Sequence, residues 1–193
     1  IIHYMLDWFA PPDSFAHALW LSQIQQGLAI KYAVEHWRRN WPRCGGAVYW
    51  QLNDVWPVAS WSSIDYFGRW KALHYFARRF FAPVLLSGVE SLEEERASVA
   101  VHLSCDQCEE TEGRILWELS DTAGEKISAG EMPATLQPWQ SRCVKTLDFS
   151  GEINEFTARE RLLWLSLEVD GQTVATDLVT FLRPKSLSLM KPE

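Results

Sequence analysis

Residues 50–54, Trp-Gln-Leu-Asn-Asp, combine side chains with a definite recognition chemistry. The face of Trp50 is an apolar platform suited to the C–H face of a sugar ring, while Asn53 and Asp54 offer donors and acceptors for its hydroxyls. They open the stretch WQLNDVWPVASWSSIDYFGRW, residues 50–70, which holds four tryptophans. It contains no glycine-rich phosphate cradle and no cluster of Lys and Arg, so the mixture favours a carbohydrate over a phosphate ligand. Trp50, Gln51, Asn53 and Asp54 are the best-placed contacts. Trp56, Trp61 and Trp70 read instead as core or interface anchors, and Asp54 and Asp65 have a second reading as turn or helix caps. Glu35, His36 and His74 read as solvated helix-surface groups.

Positioning these residues requires regular elements on either side. Asp13 and Ser14 follow Pro11 and Pro12 as N-cap candidates, and Leu21, Ile24, Leu28 and Tyr32 recur at helical steps. The pattern predicts a helix from about Ser14 to Arg39, with Arg38 and Arg39 in the last turn, where the dipole favours cations, and Pro42 beyond it. Gly45 and Gly46 then open AVYWQL, which reads as a strand buried on both faces. After the tryptophan-rich stretch, Trp70, Leu73, Phe76, Ala77 and Phe80 trace a second helical face that ends by Pro83. Helix, buried strand, loop and helix form the unit of an α/β fold with a parallel sheet, in which ligands bind on loops at the carboxyl ends of strands. One strand makes no sheet, so residues 1–83 are expected to be the last part of a larger α/β domain. The start of the chain gives no reading of a signal peptide in either direction.

Charge divides the sequence at the same place. Through Pro83 there are eight Lys and Arg against five Asp and Glu; from Val84 onward there are ten against twenty. The segment ARRFFAPVLLSGVESLEEER reads as a domain boundary with a short linker, because composition and charge change together. The acidic second part argues against nucleic-acid binding, which needs a basic footprint. It contains ASVAVHLS, RILWELS, CVKTLDF, LLWLSLEV and TVATDLVTF, strand-like runs broken by turn signals at residues 121–124 and at Asp170-Gly171. Leu163, Leu165, Leu167 and Val169 alternate with Trp164, Ser166 and Glu168, and the whole reads as an immunoglobulin-like β-sandwich. Trp164, on the non-core face, is expected to pack on the first domain. Cys105 and Cys108 form one CxxC without a second pair at zinc-ribbon spacing, so ordinary thiols are the reading and no metal or cofactor is expected. No apolar run reaches the ~18 residues of a membrane helix, so no membrane association is expected. The compartment is left open, with a slight lean to the cytoplasm.

The run GGAVYWQLNDVWPVASWSSIDYFGRWKALHYFARRFFAPV resembles the end of the catalytic barrel in β-mannosidases of glycoside hydrolase family 2, as does the preceding LSQIQQGLAIKYAVEHWRR. The later part, from GRILWELSDTAGEKISAG to VTFLRPKSLSL, resembles the sandwich that follows that barrel. The resemblance implies the terminal portion of a (β/α)₈ barrel over residues 1–83, with Gly46 to Leu52 as its final strand, and an immunoglobulin-like sandwich over 84–193. It also implies hydrolysis of terminal non-reducing β-D-mannose with retention, Trp50 as an aromatic wall at the sugar subsite, and Asn53 and Asp54 within reach. Retention needs two carboxylates about 5 Å apart. In the family both are glutamates on earlier strands, and neither motif occurs here. The expected partners are a mannose-containing glycoside and the rest of the parent barrel, and the chain alone is expected to be inactive. The alternatives are a fragment of a family 2 β-galactosidase or β-glucuronidase, and a sandwich that binds carbohydrate itself or only buttresses the barrel.

Overall fold

A computed structural model describes residues 2–93 and 96–189. The chain divides into two compact units, Ile1–Ala82 and Pro83–Glu193.

The first unit is built on helices: α1 (Ile2–Trp8), α2 (Phe15–Arg39) and α3 (Ala72–Phe80). Ser14 caps α2 by accepting from the His17 amide, and the Asp13 carboxylate lies 3.0 Å from His17 Nδ1 one turn on. The helical period on α3 places Leu73, Ala77 and Phe80 inward, where they meet Val34 of α2 in a small core flanked by Ile30, Tyr49 and Phe76. Gly27 of α2 is where the two helices approach closely: a Cβ there would stand 2.4 Å from Phe76 Cδ2. Arg38 adds a polar tie. Its guanidinium donates to the carbonyls of Phe80 and Ala82, satisfying the orphan end of α3 rather than of its own helix. Glu35, expected on the surface, is buried between Lys31 and Arg39, 3.0 and 3.8 Å away; the i, i+4 spacing on both sides explains how a carboxylate is accommodated there.

Residues 47–52, expected as a doubly buried strand, form no strand, and Val48, Trp50 and Leu52 are exposed. A strand is defined by its ladder, and among the described residues this segment has no neighbouring strand to pair with. Only isolated bridges occur, Asn53 with Ile64 and Ile64 with Trp70.

The second unit is a sandwich of two antiparallel sheets made from β1 (Val84–Glu93), β2 (Arg96–Cys105), β3 (Thr111–Asp121), β4 (Lys126–Leu136), β5 (Gln140–Asp148), β6 (Arg161–Val169) and β7 (Gln172–Thr180). The sheet orders are β1-β2-β5 and β4-β3-β6-β7. The alternation in β6 holds: Leu163, Leu165 and Leu167 enter the core while Trp164 is exposed. Asp170 and Gly171 take positive φ in the β6–β7 turn, and Asp121 accepts from the amides of Ala123 and Glu125 in the β3–β4 turn. Residues 84–93, within the segment 77–96 read as a domain boundary with a short linker, are strand β1 of the sandwich, whose first five residues are all buried; Glu94 and Glu95 of the acidic run lie outside the described residues. No helix among the described residues is long and apolar enough to cross a membrane.

Candidate functional site

The stretch from residue 50 to residue 70 is held by polar contacts, not by its tryptophans. Ser63 is fully buried and acts as the hub. Its amide donates to the carbonyls of Gln51 and Leu52 at 3.1 and 3.2 Å, and its hydroxyl donates to Leu52 O at 2.9 Å. The same hydroxyl lies 2.8 Å from the Tyr49 hydroxyl and 3.1 Å from His74 Nδ1, so His74 is half-buried rather than solvated. The Ile64 amide donates to Leu52 O and the Asp54 amide to Ile64 O. Residues 50–54 are thereby laid along residues 63–64.

Around this seam lies an ionic cluster. Lys71 Nζ is 2.8 Å from Asp54 Oδ2 and 2.7 Å from Ser62 Oγ, with Ser60 O at 3.3 Å. Ser60 Oγ donates to the other Asp54 oxygen. The side chain of Asp54 is 1% exposed and that of Lys71 13%. Hydrogen bonding from Lys71, then from Ser60, lowers the Asp54 pKa to about 2 against the desolvation that opposes it, so the group is a carboxylate at neutral pH. Further contacts tie the stretch to α2: Gln26 Nε2 donates to Trp61 O, and Gln23 Oε1 accepts from the Ala72 amide at the start of α3. Asp65 closes a turn by accepting from the amides of Phe67 and Arg69 and from Arg69 Nε.

The three sequence-derived site residues are thus placed differently. Trp50 is 74% exposed, and the peptide bond after it is cis. Asn53 is exposed, with its amide nitrogen on Asp54 O. Asp54 faces inward to Lys71. Trp56, Trp61 and Trp70, expected as anchors, are exposed, and Trp70 rests on His74 and Tyr75. Ser60, Ser62, Ser63 and Lys71 do the anchoring. The signal for them was a cluster of three serines, Ser60, Ser62 and Ser63, and one lysine, Lys71, all following Asp54 in the chain. In the sandwich, Trp117 packs inward against Phe149, Trp164 lies on the opposite face with its indole N–H on Ser120 Oγ, and Trp139 sits in the β4–β5 turn, so the three make no common platform. Among the described residues no group of His, Cys, Asp and Glu could hold a metal ion.

Residues 97–186 match the family model described as a mannosidase Ig/CBM-like domain. The chain is 44% identical to the β-mannosidase of Bos taurus over 100 residues, 48% of this chain and 11% of that protein. It is 29% identical to β-mannosidase A of Aspergillus fumigatus over 94% of its length, covering 21% of that protein. Among solved structures, the β-D-mannosidase of Dictyoglomus thermophilum superposes with a TM-score of 0.83 at 26% identity, over 97% of this chain and 22% of that one. The exo-chitosanase of Amycolatopsis orientalis shares the fold, with a TM-score of 0.70 at 14% identity over 92% of this chain and 21% of that one. The chain therefore spans about a tenth to a fifth of the curated relatives it matches. By sequence and by fold together, the chain is similar to one part of the β-mannosidases, and its residues 97–186 match the mannosidase Ig/CBM-like domain.

Proposed function

We propose that the chain is the terminal portion of a (β/α)₈ barrel followed by an immunoglobulin-like sandwich, within an enzyme that removes terminal non-reducing β-D-mannose with retention. The observation that carries this reading is the polar seam that fixes residues 50–54 while leaving Trp50 open to solvent. A rigidly backed, outward aromatic face is what a sugar-binding wall requires. Trp50 supplies the wall and Asn53 stands beside it. Residues 47–52 take up strand form once their ladder partners, supplied by the rest of the barrel, lie beside them. The two carboxylates of a retaining mechanism, about 5 Å apart, come from residues outside these 193, because the one carboxylate next to the wall, Asp54, is committed to Lys71.

The test is hydrolysis of an aryl β-mannoside. The isolated chain is expected to show no turnover, while the full-length enzyme turns over with retention. In that enzyme Trp50→Ala should lower kcat/KM by an amount equivalent to ~1–3 kcal/mol, by analogy with the loss of an aromatic platform under a stacked nucleobase. Turnover by the isolated chain, or unchanged kcat/KM in a folded Trp50→Ala enzyme, contradicts the reading.

A further inference from the structure

We propose that Asp54 and Lys71 are positioning residues for the sugar-facing wall: their buried ion pair locks residues 50–54 against residues 60–64, and Asp54 itself does not touch the sugar. The proposal rests on the reading of Trp50 as that wall. Three observations carry it. First, both Asp54 oxygens are occupied, one by Lys71 Nζ and the other by Ser60 Oγ, with the side chain 1% exposed. With so little of the side chain exposed, a sugar hydroxyl would have to displace one of these partners to reach it, and displacing Lys71 would break a buried charge pair. Second, the Lys71 ammonium has three protons and meets three well-placed acceptors, Asp54 Oδ2, Ser62 Oγ and Ser60 O, so the cluster satisfies its own charge without a ligand. Third, Lys71 immediately precedes α3, whose Leu73, Ala77 and Phe80 are packed in the core, and its own amide donates to Ser63 O. The pair therefore transmits the rigidity of the helical core to the segment that ends in Trp50. With Trp56, Val58 and Trp61 exposed, the apolar side chains of the stretch offer little alternative anchorage.

A lock that works through the wall makes a coupling prediction that mere support of the fold does not. In the full-length enzyme, Asp54→Asn is expected to lower kcat/KM on an aryl β-mannoside by ~tenfold or more through misplacement of the wall. Lys71→Arg, which keeps the charge, should retain most activity, and Lys71→Met should not. On a Trp50→Ala background, Asp54→Asn should cost no more than about a further twofold, because the two residues act as one unit. Amide hydrogen exchange at Ser63 and Ile64 should accelerate in Asp54→Asn by more than the accompanying loss of global stability accounts for. Additive losses, with exchange unaltered, would mean that Asp54 meets the sugar directly and would overturn the proposal, as would unchanged kcat/KM in the single variants. Where Asp54→Asn fails to fold, the paired apolar replacement Asp54→Leu with Lys71→Met takes its place and is judged by the same coupling. Absence of β-mannoside hydrolysis by the unvaried enzyme sinks the functional reading instead; the lock is then decided by exchange alone, and unaltered exchange at Ser63 and Ile64 overturns it.

Discussion

At the scale of single residues, the carboxylates carry most of what the sequence left hidden. Asp54 reads from its neighbours as a sugar ligand, yet its partner stands 17 residues later and is brought to it only by the fold. Glu35 was more legible than it was read, since Lys31 and Arg39 flank it at helical spacing. The Asp54 pKa turns its contacts into a measurable pH dependence. Its folded value of about 2 lies below the ordinary 3.8. A depressed carboxyl contributes stability that is fully present above its unfolded pKa and is lost as pH falls through its folded one. The contribution is therefore expected to be constant from neutral pH down to about 4 and to vanish between about 4 and 2. Comparing Tm against pH for the full-length enzyme and its Asp54→Asn variant isolates it, because Asp13, Asp65 and Asp148 are common to both proteins. The two curves should run parallel above about pH 5 and converge below pH 4. A gap that persists undiminished to pH 2 contradicts the assignment.

At the scale of elements, legibility followed how far a strand's pattern is its own. The 163–167 alternation in β6 is set by two faces of different polarity, and it could be read directly. Strand β1 has no such alternation at its start, because Val84, Leu85, Leu86, Ser87 and Gly88 are all buried, and its acidic far end imitates a linker. Strand β4 carries Ala, Gly and Pro, poor strand formers, and is tolerated because it lies at a sheet edge, where Pro133 need not donate to a further neighbour. Residues 47–52 err in the other direction: strand-forming side chains without a ladder. The two sheets are joined at their edges by a contact that no local pattern announces. The inward carboxylate of Asp177 on β7 accepts from the Gly88 amide of β1 at 2.9 Å. Removing that acceptor leaves a buried amide donor unmet, which costs about 1–3 kcal/mol. Asp177→Ala should therefore lower Tm, and Asp177→Asn, which keeps an acceptor oxygen, should lower it less. Gly88 itself is confined by sterics, since a Cβ would stand 2.4 Å from Val179 Cγ2 and 3.0 Å from Val99 Cγ1. Gly88→Ala is expected to cost about 1–3 kcal/mol by overpacking. A Gly88→Ala protein as stable as the native one would show that the sheets separate more easily than the packing implies.

At the scale of the whole molecule, the two units differ in how completely each buries its own apolar surface, and this sets what each can do by itself. The core of the second unit draws on all seven strands, from Val84 and Leu86 of β1 to Val179 of β7, and runs on through Phe149 and Phe181. Each such side chain contributes about 1.5–3 kcal/mol when fully buried, a scale that supports an independent domain of this size. In the first unit the clustered core is Val34, Leu73, Ala77 and Phe80, while Trp20, Trp37, Trp50, Trp56, Trp61 and Trp70 are exposed. Soluble domains rarely leave so much large aromatic surface uncovered, and in the proposed enzyme the remainder of the barrel covers it except at Trp50, whose face stays open to the sugar. Residues 83–193 expressed alone should therefore unfold in one cooperative transition, with a Tm close to that of the sandwich transition in the full chain. Residues 1–82 alone should bind a hydrophobic dye, self-associate with rising concentration and lack a sharp thermal transition. Charge favours the same contrast, since residues 84–193 carry twenty acidic against ten basic groups and repel one another, whereas residues 1–83 are close to balance. A monomeric 1–82 piece with a cooperative transition would show that its helices need no further barrel to cover them, and would remove the structural ground for assigning these residues to a larger catalytic domain.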